Sequence, residues 1–434
     1  MAAPPRPAAR PPPALAGGDG ASTILSHLGA EHSHGRGLLG FAGTRGARAL
    51  RLVCREFLRE VADFPFDDTA HVTGPLAAWR ASFPRARRVR ISDRHDLADA
   101  DLAHVRGVQA VDLSYSGRSG LPDALDTRLG APWLTDAALA HLAGVAELDL
   151  SGTRCFSPAS LAHVRGVRKL GLFECTGVLH GAMVSGLSLV AGVKVLDVGW
   201  STAIDDDLTG VAGVERLNAP HNLGITGACF SALRGSLRHL NVSECENIAA
   251  HALDVFAASP LSSLEIDECP QPFSLAGLRG LESLSASAAI GLSDAAFAAL
   301  AGGHLRALDI SFCRQLTDGA FAHFARLPAL RSLTMKGCWQ SAITDAAFAH
   351  IRHVEVLTMA SCNQDEISDA AFAALEGGSL RALDISRCSQ RTISSAVFAR
   401  LRGVAVRTNG CRAEVKAAAR AAMGAAMFEE LNRE

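Results

Sequence analysis

At 434 residues the chain is longer than a single globular core usually grows, so it holds either several domains or an extended repeat. Forty-two Lys and Arg against 44 Asp and Glu leave a formal charge of −2, which gives no general pull toward nucleic acid or an anionic membrane. Hydrophobic residues make up 48%, yet alanine carries much of that share, and no run of about 18 apolar residues offers a membrane-spanning helix.

In chain order, residues 1–21 are rich in Pro, Ala and Gly and cannot bury enough apolar surface to offset the entropy of ordering, so a disordered tail is expected. They lack the apolar core of a secretory signal; their Ala/Arg-rich, acid-poor start leaves an organelle transit peptide as the alternative. Residues 22–66 differ in pattern from everything after them. Two helical pieces, ASTILSHLGA and ARALRLVCREFLREVA, flank a stretch with six glycines between Gly29 and Gly46. In the second piece Leu50, Val53, Phe57 and Val61 share one helical face, while Arg51, Arg55, Glu56, Arg59 and Glu60 cover the other.

From about Arg85 the chain repeats itself. Apolar cores of the form Leu-x-x-Leu-x-Leu start at Val108, Val145, Val167, Val193, Val214, Leu237, Leu261, Leu281, Leu305, Leu330, Val354 and Leu380, with a weaker unit at Val89 and Ile91 before them and a fading one at Val404 after. Most are spaced 20 to 26 residues apart; the unit at Val108 reaches 37 through the insertion GRSGLPDALDTRLGAPW. Each unit predicts a short strand and then a short helix. Leu308 and Ile310, two apart, point to one face, and Asp309 and Ser311 to the other. Thr317, Thr344 and Ser368 are placed to cap the helices, with an Asp after each near the positive end of the dipole. Phe321, Phe348 and Phe372 recur on the inward side. No unit buries these faces alone, so the parallel strands must stack into one curved sheet.

Cys175, Cys245, Cys269, Cys313, Cys338, Cys362 and Cys388 all stand three residues after the last strand hydrophobe. Ser116, Thr153, Ser201, Asn222 and Ala289 fill the same slot elsewhere, which asks for a small residue, often one able to hydrogen-bond the turning backbone. With no Cys-x-x-Cys pair, buried reduced thiols are expected, not a metal site or disulfides, and with them an intracellular location, cytoplasmic or nuclear.

The unit, close to L-x-x-L-x-L-x-x-C-x-x-[IL]-[TS]-D-x-x-[LF], resembles the cysteine-containing class of leucine-rich repeats over roughly 320 residues. That resemblance implies an α/β fold: a right-handed horseshoe solenoid of about fourteen repeats, parallel sheet inside and short helices outside, preceded by a small helical module. Leu50, Val53, Cys54, Arg55 and Phe57 in turn resemble the closing half of an F-box, with Ile24, Leu25 and Leu28 standing for its first helix. The Leu-Pro pair that opens an F-box is absent, as is its middle helix. An F-box would imply that Ile24, Leu25, Leu28, Leu50, Val53, Cys54 and Phe57 dock on the adaptor subunit of a cullin-RING ubiquitin ligase, with the repeats selecting a protein substrate. The alternative is a repeat scaffold or sensor whose N-terminal helices only cap the first repeat.

The expected organisation is a tail at 1–21, the F-box-like segment or cap at 22–66, repeats over 67–411 and a capping helix at 412–434. Along that last helix Val415, Ala419, Met423, Met427 and Leu431 recur every four residues. For contacts, the concave face is the first place to look. Asp112, Asp149, Asp197, Asp309 and Asp384, with Glu265, form an intermittent acidic stripe that reads as solvating filler before it reads as a site. One slot further out stand Tyr115, Trp200 and Phe312, with His221, Glu244 and Glu268; exposed aromatics there suit partner binding. His104, His141, His163, His323 and His350 share one helix position and are expected to be solvated. No phosphate-loop, dinucleotide, zincin or nucleophile-elbow motif occurs, so no enzyme, metal or cofactor is expected, and a protein partner is.

Overall fold

The alternation Leu-x-Leu at the head of each repeat makes strands three residues long. In the computed structural model, which describes residues 65–66, 71–116, 134–153, 155–175, 186–201, 206 and 208–432, fourteen of them form one sheet. They are β1 (Arg88–Arg90), β2 (Ala110–Asp112), β3 (Glu147–Asp149), β4 (Lys169–Gly171), β5 (Val195–Asp197), β6 (Arg216–Asn218), β7 (His239–Asn241), β8 (Ser263–Glu265), β9 (Ser283–Ser285), β10 (Ala307–Asp309), β11 (Ser332–Thr334), β12 (Val356–Thr358), β13 (Ala382–Asp384) and β14 (Ala405–Arg407). All pair in parallel and in sequence order, each with the next. The register puts like on like: Leu308 faces Leu284 on one side and Leu333 on the other. A single apolar core therefore runs the length of the stack, with Phe321, Phe348 and Phe372 fully buried in it.

The outer segments are short, and several are 3-10 rather than α-helical, as at Asp99–Val105 and Asp294–Leu300. Seven residues barely repay the cost of helix nucleation, and the tighter helix reaches the next strand in fewer residues. Where α-helix does form, the expected caps are in place: the hydroxyls of Thr317, Thr344 and Ser368 accept from the amides of Gly319, Ala346 and Ala370. The Asp beside each cap does more than favour the dipole. Asp345 accepts from the backbone N–H of Ser368 at 2.7 Å and its hydroxyl at 2.6 Å, both one repeat onward. Asp99, Asp136, Asp206, Asp294, Asp318 and Asp369 do the same for the next cap, a column of carboxylates that fastens repeat to repeat.

The cysteine slot fastens a second column. Each thiol donates to the carbonyl of the residue just past the strand in the repeat before: Cys175 to Leu150, Cys313 to Ala286 at 3.0 Å, Cys362 to Met335 at 2.9 Å. Ser116, Ser201 and Asn222 make the same bond from the same slot, to Ile91, Leu172 and Val198. Thr153 turns back to its own repeat, and Ala289 has nothing to donate. Cys411 belongs to the column as well, bonded to Ile385, although Thr408 replaces its strand's last hydrophobe and hides it from the sequence pattern. Burial pushes the thiols up, to about 12 for Cys175, Cys269, Cys338 and Cys388 and about 11 for Cys245 and Cys313.

Both ends are covered. Before β1, Leu76–Ser82 is a helix with Leu76 and Trp79 buried, an element with no separate place in the sequence reading. Val72 N–H donates to the Arg90 carbonyl as a preceding strand would, and Arg94, standing in the cysteine slot of the first repeat, donates to Val72 O at 2.9 Å. After β14 the expected single helix is two, Ala413–Met423 and Ala425–Leu431, broken at Gly424, whose φ of +83° no helix accommodates. The break folds the second helix back onto β14, burying Phe428 and leaving Met427 exposed.

Replacing Asp345 with Ala should lower stability by about 1.5–3 kcal/mol, as loss of charge-assisted hydrogen bonds does, read as a shift in denaturant midpoint. The slot cysteines should alkylate at least about 100-fold more slowly in the folded chain than after unfolding, because the thiolate is the nucleophile and these thiols stay protonated until pH 11–12. Site-resolved mass spectrometry after iodoacetamide pulses measures this; rapid labelling of Cys338 at pH 8 in folded protein would contradict it.

Candidate interaction surface

Each strand ends by turning away from the sheet, and the turn has one demanding position. Three residues after the last strand residue, φ is positive in all fourteen repeats, from Asp93 at +56° to Gly410 at +72°. Only three of the fourteen are glycine; the others hold a left-handed conformation that costs a residue with a side chain roughly 1–2 kcal/mol. Tyr115, Trp200, His221, Glu244, Glu268 and Phe312 all occupy it. They therefore sit on the rim beyond the strand ends, where the sequence reading put them on the concave face. Their amides continue the ladder, as when Trp200 N–H donates to the Pro220 carbonyl and Phe312 N–H to that of Lys336.

Their side chains lie along the rim toward the next repeat. The Tyr115 ring covers Gly152, where a Cβ would fall 2.3 Å from its Cδ1, and its hydroxyl donates to Glu174 at 3.2 Å. Phe312 covers Gly337 in the same manner, at 2.4 Å from a Cβ there. Trp200 stacks on His221 with centroids 4.0 Å apart, and His221 Nδ1 lies 3.3 Å from Glu244 Oε2. These contacts hold the rings in place and leave them open on their outer faces: Trp200 is 44% exposed and Phe312 47%. Three further exposed apolar residues, Leu223, Ile290 and Trp339, stand one position past the cysteine slot; Arg314 lies 4.5 Å over the Trp339 ring. The repeat alignment contains that column, and reading it would have found them. Six of the eight large exposed hydrophobics among the described residues fall in these two columns, so the apolar surface follows the rim.

The concave face is differently made. A groove of about 520 Å³ runs over β1 to β8, lined by Arg88, Glu147, Arg216, His239 and Glu265 among others. Two of its acids are paired with arginines: Glu147 with Arg88 at 2.8 Å and Asp112 with Arg90 at 3.3 Å. The acidic stripe has a local purpose. Asp112, Asp149, Asp197, Asp309 and Asp384 each accept from the backbone N–H two residues on, closing the turn that leads to the left-handed position. Glu265 makes no such bond, and burial, then the Asp267 carboxylate, hold it above the usual carboxylate range.

Of the other expected sites, Ile24, Leu25, Leu28, Leu50, Val53, Cys54 and Phe57 lie outside the described residues, as does the insertion of the Val108 repeat. The helix histidines are spread along the outer face, His104 and His163 exposed and His141, His323 and His350 half-buried. No group of three or more metal-ligating side chains occurs among the described residues, and no helix there is long and apolar enough to cross a membrane.

No protein-family model matches this chain, and no curated protein does. Solved structures do. The chain of TLR13 in a TLR13–ssRNA13 complex is similar with a TM-score of 0.53 at 17% identity, over 76% of this chain and 50% of that one, so this chain spans half its length. An internalin (inlF) from Listeria monocytogenes has a TM-score of 0.47 at 14% identity, covering 83% and 93%. Rad7 in its complex with Elc1 from yeast has 0.41 at 18%, covering 65% and 81%. At such identities only the first likeness bears on the structure, and it bears on fold alone. Together with the single parallel sheet and its outer helices, it makes the fold a leucine-rich-repeat solenoid.

Two substitutions test the rim geometry. Ala288→Gly, at φ +53°, should raise stability by about 0.5–1 kcal/mol, since the relieved strain exceeds the added chain entropy. Gly337→Ala should lower it by more than about 1 kcal/mol through strain and collision with Phe312. Equilibrium denaturation of the pair, with opposite signs expected, decides.

Proposed function

We propose that this chain is a recognition protein: the solenoid holds a protein partner along its rim and concave groove and contributes placement, not bond-making. The observation that carries this is the row of half-exposed aromatic side chains fixed by neighbouring repeats. Rigid aromatics lose little entropy on binding and contribute disproportionately to interfaces. The groove crosses eight strands, which suits it to a broad partner surface more than to a small ligand. Co-purification from cells with Trp200→Ser/Phe312→Ser, beside an outer-helix control His104→Ala/His163→Ala, tests the reading. Proteins that the control retains and the rim variant loses are the expected result; identical sets would reject it.

The finer reading assigns the chain to a cullin-RING ubiquitin ligase as its substrate-recognition subunit. Its support is the F-box-like wording at Ile24, Leu25, Leu28, Leu50, Val53, Cys54 and Phe57, preceding repeats of the cysteine-containing type. In this reading those residues meet the adaptor, and the rim presents a substrate to the ligase's other subunits. The full chain should then capture the purified adaptor subunit, and Val53→Asp with Phe57→Asp should reduce capture at least tenfold. Absence of capture by the wild type would leave the scaffold reading, with 22–66 closing the N-terminal end of the repeats.

A further inference from the structure

We infer that the rim from β5 to β10 is a docking track for an extended basic segment of a partner protein, apolar at its two ends. This rests on the recognition role proposed above and supplies the chemistry of the partner.

The track has three parts. At one end Trp200, stacked on His221, and Leu223 offer exposed apolar surface. At the other stand Ile290, 65% exposed, and Phe312. Between them the turns after β7 and β8 carry Glu244, Glu246 and Glu268, with the exposed Asn247 and Pro270 and no cation among them. Glu244 has the His221 ring beside it; Glu246 and Glu268 have no ion pair with a described Lys or Arg, while Asp267 is taken up by Ser285 and Ser287 of the next repeat. In the adjoining groove, by comparison, Glu147 and Asp112 are paired with Arg88 and Arg90 across the strands. Carboxylates alone would be an ordinary solvated face. Set between two fixed apolar patches, they select what can lie across both: a segment whose apolar side chains reach the ends and whose cations meet the middle.

Strand spacing gives the length. From β5 to β10 is five steps of about 4.8 Å, or about 24 Å, which an extended chain at about 3.3 Å per residue crosses in roughly seven residues. Beyond Phe312 the rim turns basic, with Arg314 over Trp339, then Lys336 and Arg387. A cationic run would be repelled there, so the basic stretch is confined to the centre of the track. A nucleic acid is disfavoured on the same ground, because its phosphates would face the carboxylates.

The test is selection of a random twelve-residue peptide display library on the full chain. The expected peptides carry two or more Lys or Arg between apolar residues, and their enrichment falls at least tenfold on the double variant Glu246→Lys/Glu268→Lys. A synthetic copy of the best peptide, followed by fluorescence anisotropy, should bind at least fivefold more weakly to Trp200→Ser/Phe312→Ser and weaken as NaCl rises. Circular dichroism checks that the variants fold, and Glu244→Gln/Glu246→Gln/Glu268→Gln replaces the charge reversal if it does not. Neutral or acidic winners, no enrichment, or equal enrichment on the charge variants would each overturn the inference. If any of these occurred while Trp200→Ser/Phe312→Ser still lost its co-purifying proteins, the basic segment would be wrong and the recognition role would stand.

Discussion

Just past most strands a buried backbone carbonyl accepts from the N–H three residues on, which closes the turn, and in most repeats a side chain from the same slot of the next repeat donates to it as well. The second bond fills the carbonyl's other lone pair and ties one repeat to the next. A hydroxyl, an amide or a thiol makes that bond when it is small enough to lie in the turn. This explains why one slot tolerates Cys, Ser and Asn alike, and why Arg94 reaches into it at the first repeat, where its acceptor is Val72 in the covering segment. Thiols win most often because a cysteine is also a small hydrophobe, and the slot is inside the core.

From that turn follows the surface. Bringing the carbonyl and its donor together obliges the chain to pass through a left-handed residue, whose side chain then stands on the rim. Glycine would relieve the backbone at every repeat but would leave the rim bare. Glycine is found at 152, 337 and 410, each time under the bulky residue of the repeat before, Tyr115, Phe312 or Arg387. The strain carried by the other turns is the condition for a rim built from side chains.

Much of this was legible in the sequence, because repetition samples the same physics fourteen times. The strand, the cysteine slot, the caps at Thr317, Thr344 and Ser368 and the inward phenylalanines are each fixed by local pattern, and all lie as expected. What escaped depends on neighbours in space. That Asp345 binds the following cap, and that the acidic stripe closes its own turns, appears only when repeats are stacked and backbone amides are in view. Cys411 was hidden by Thr408, and a break at Gly424 looks like a tolerable helix glycine until the helix after it turns back. The rim residues Leu223, Ile290 and Trp339 lay in a column whose exposure the pattern does not encode.

The break at Gly424 also decides how the stack stops. The two amides of β14 that face away from β13 are those of Val406 and Thr408; the first donates to Met423 Sδ and the second, at 2.7 Å, to the side-chain oxygen of Asn432. The returning helix thus supplies acceptors in the places where a fifteenth strand would have put its carbonyls. An open parallel edge is a template on which another copy of the chain could grow. Here the donors of that edge are already engaged by the chain's own last helices, so the fold covers the template it would otherwise expose.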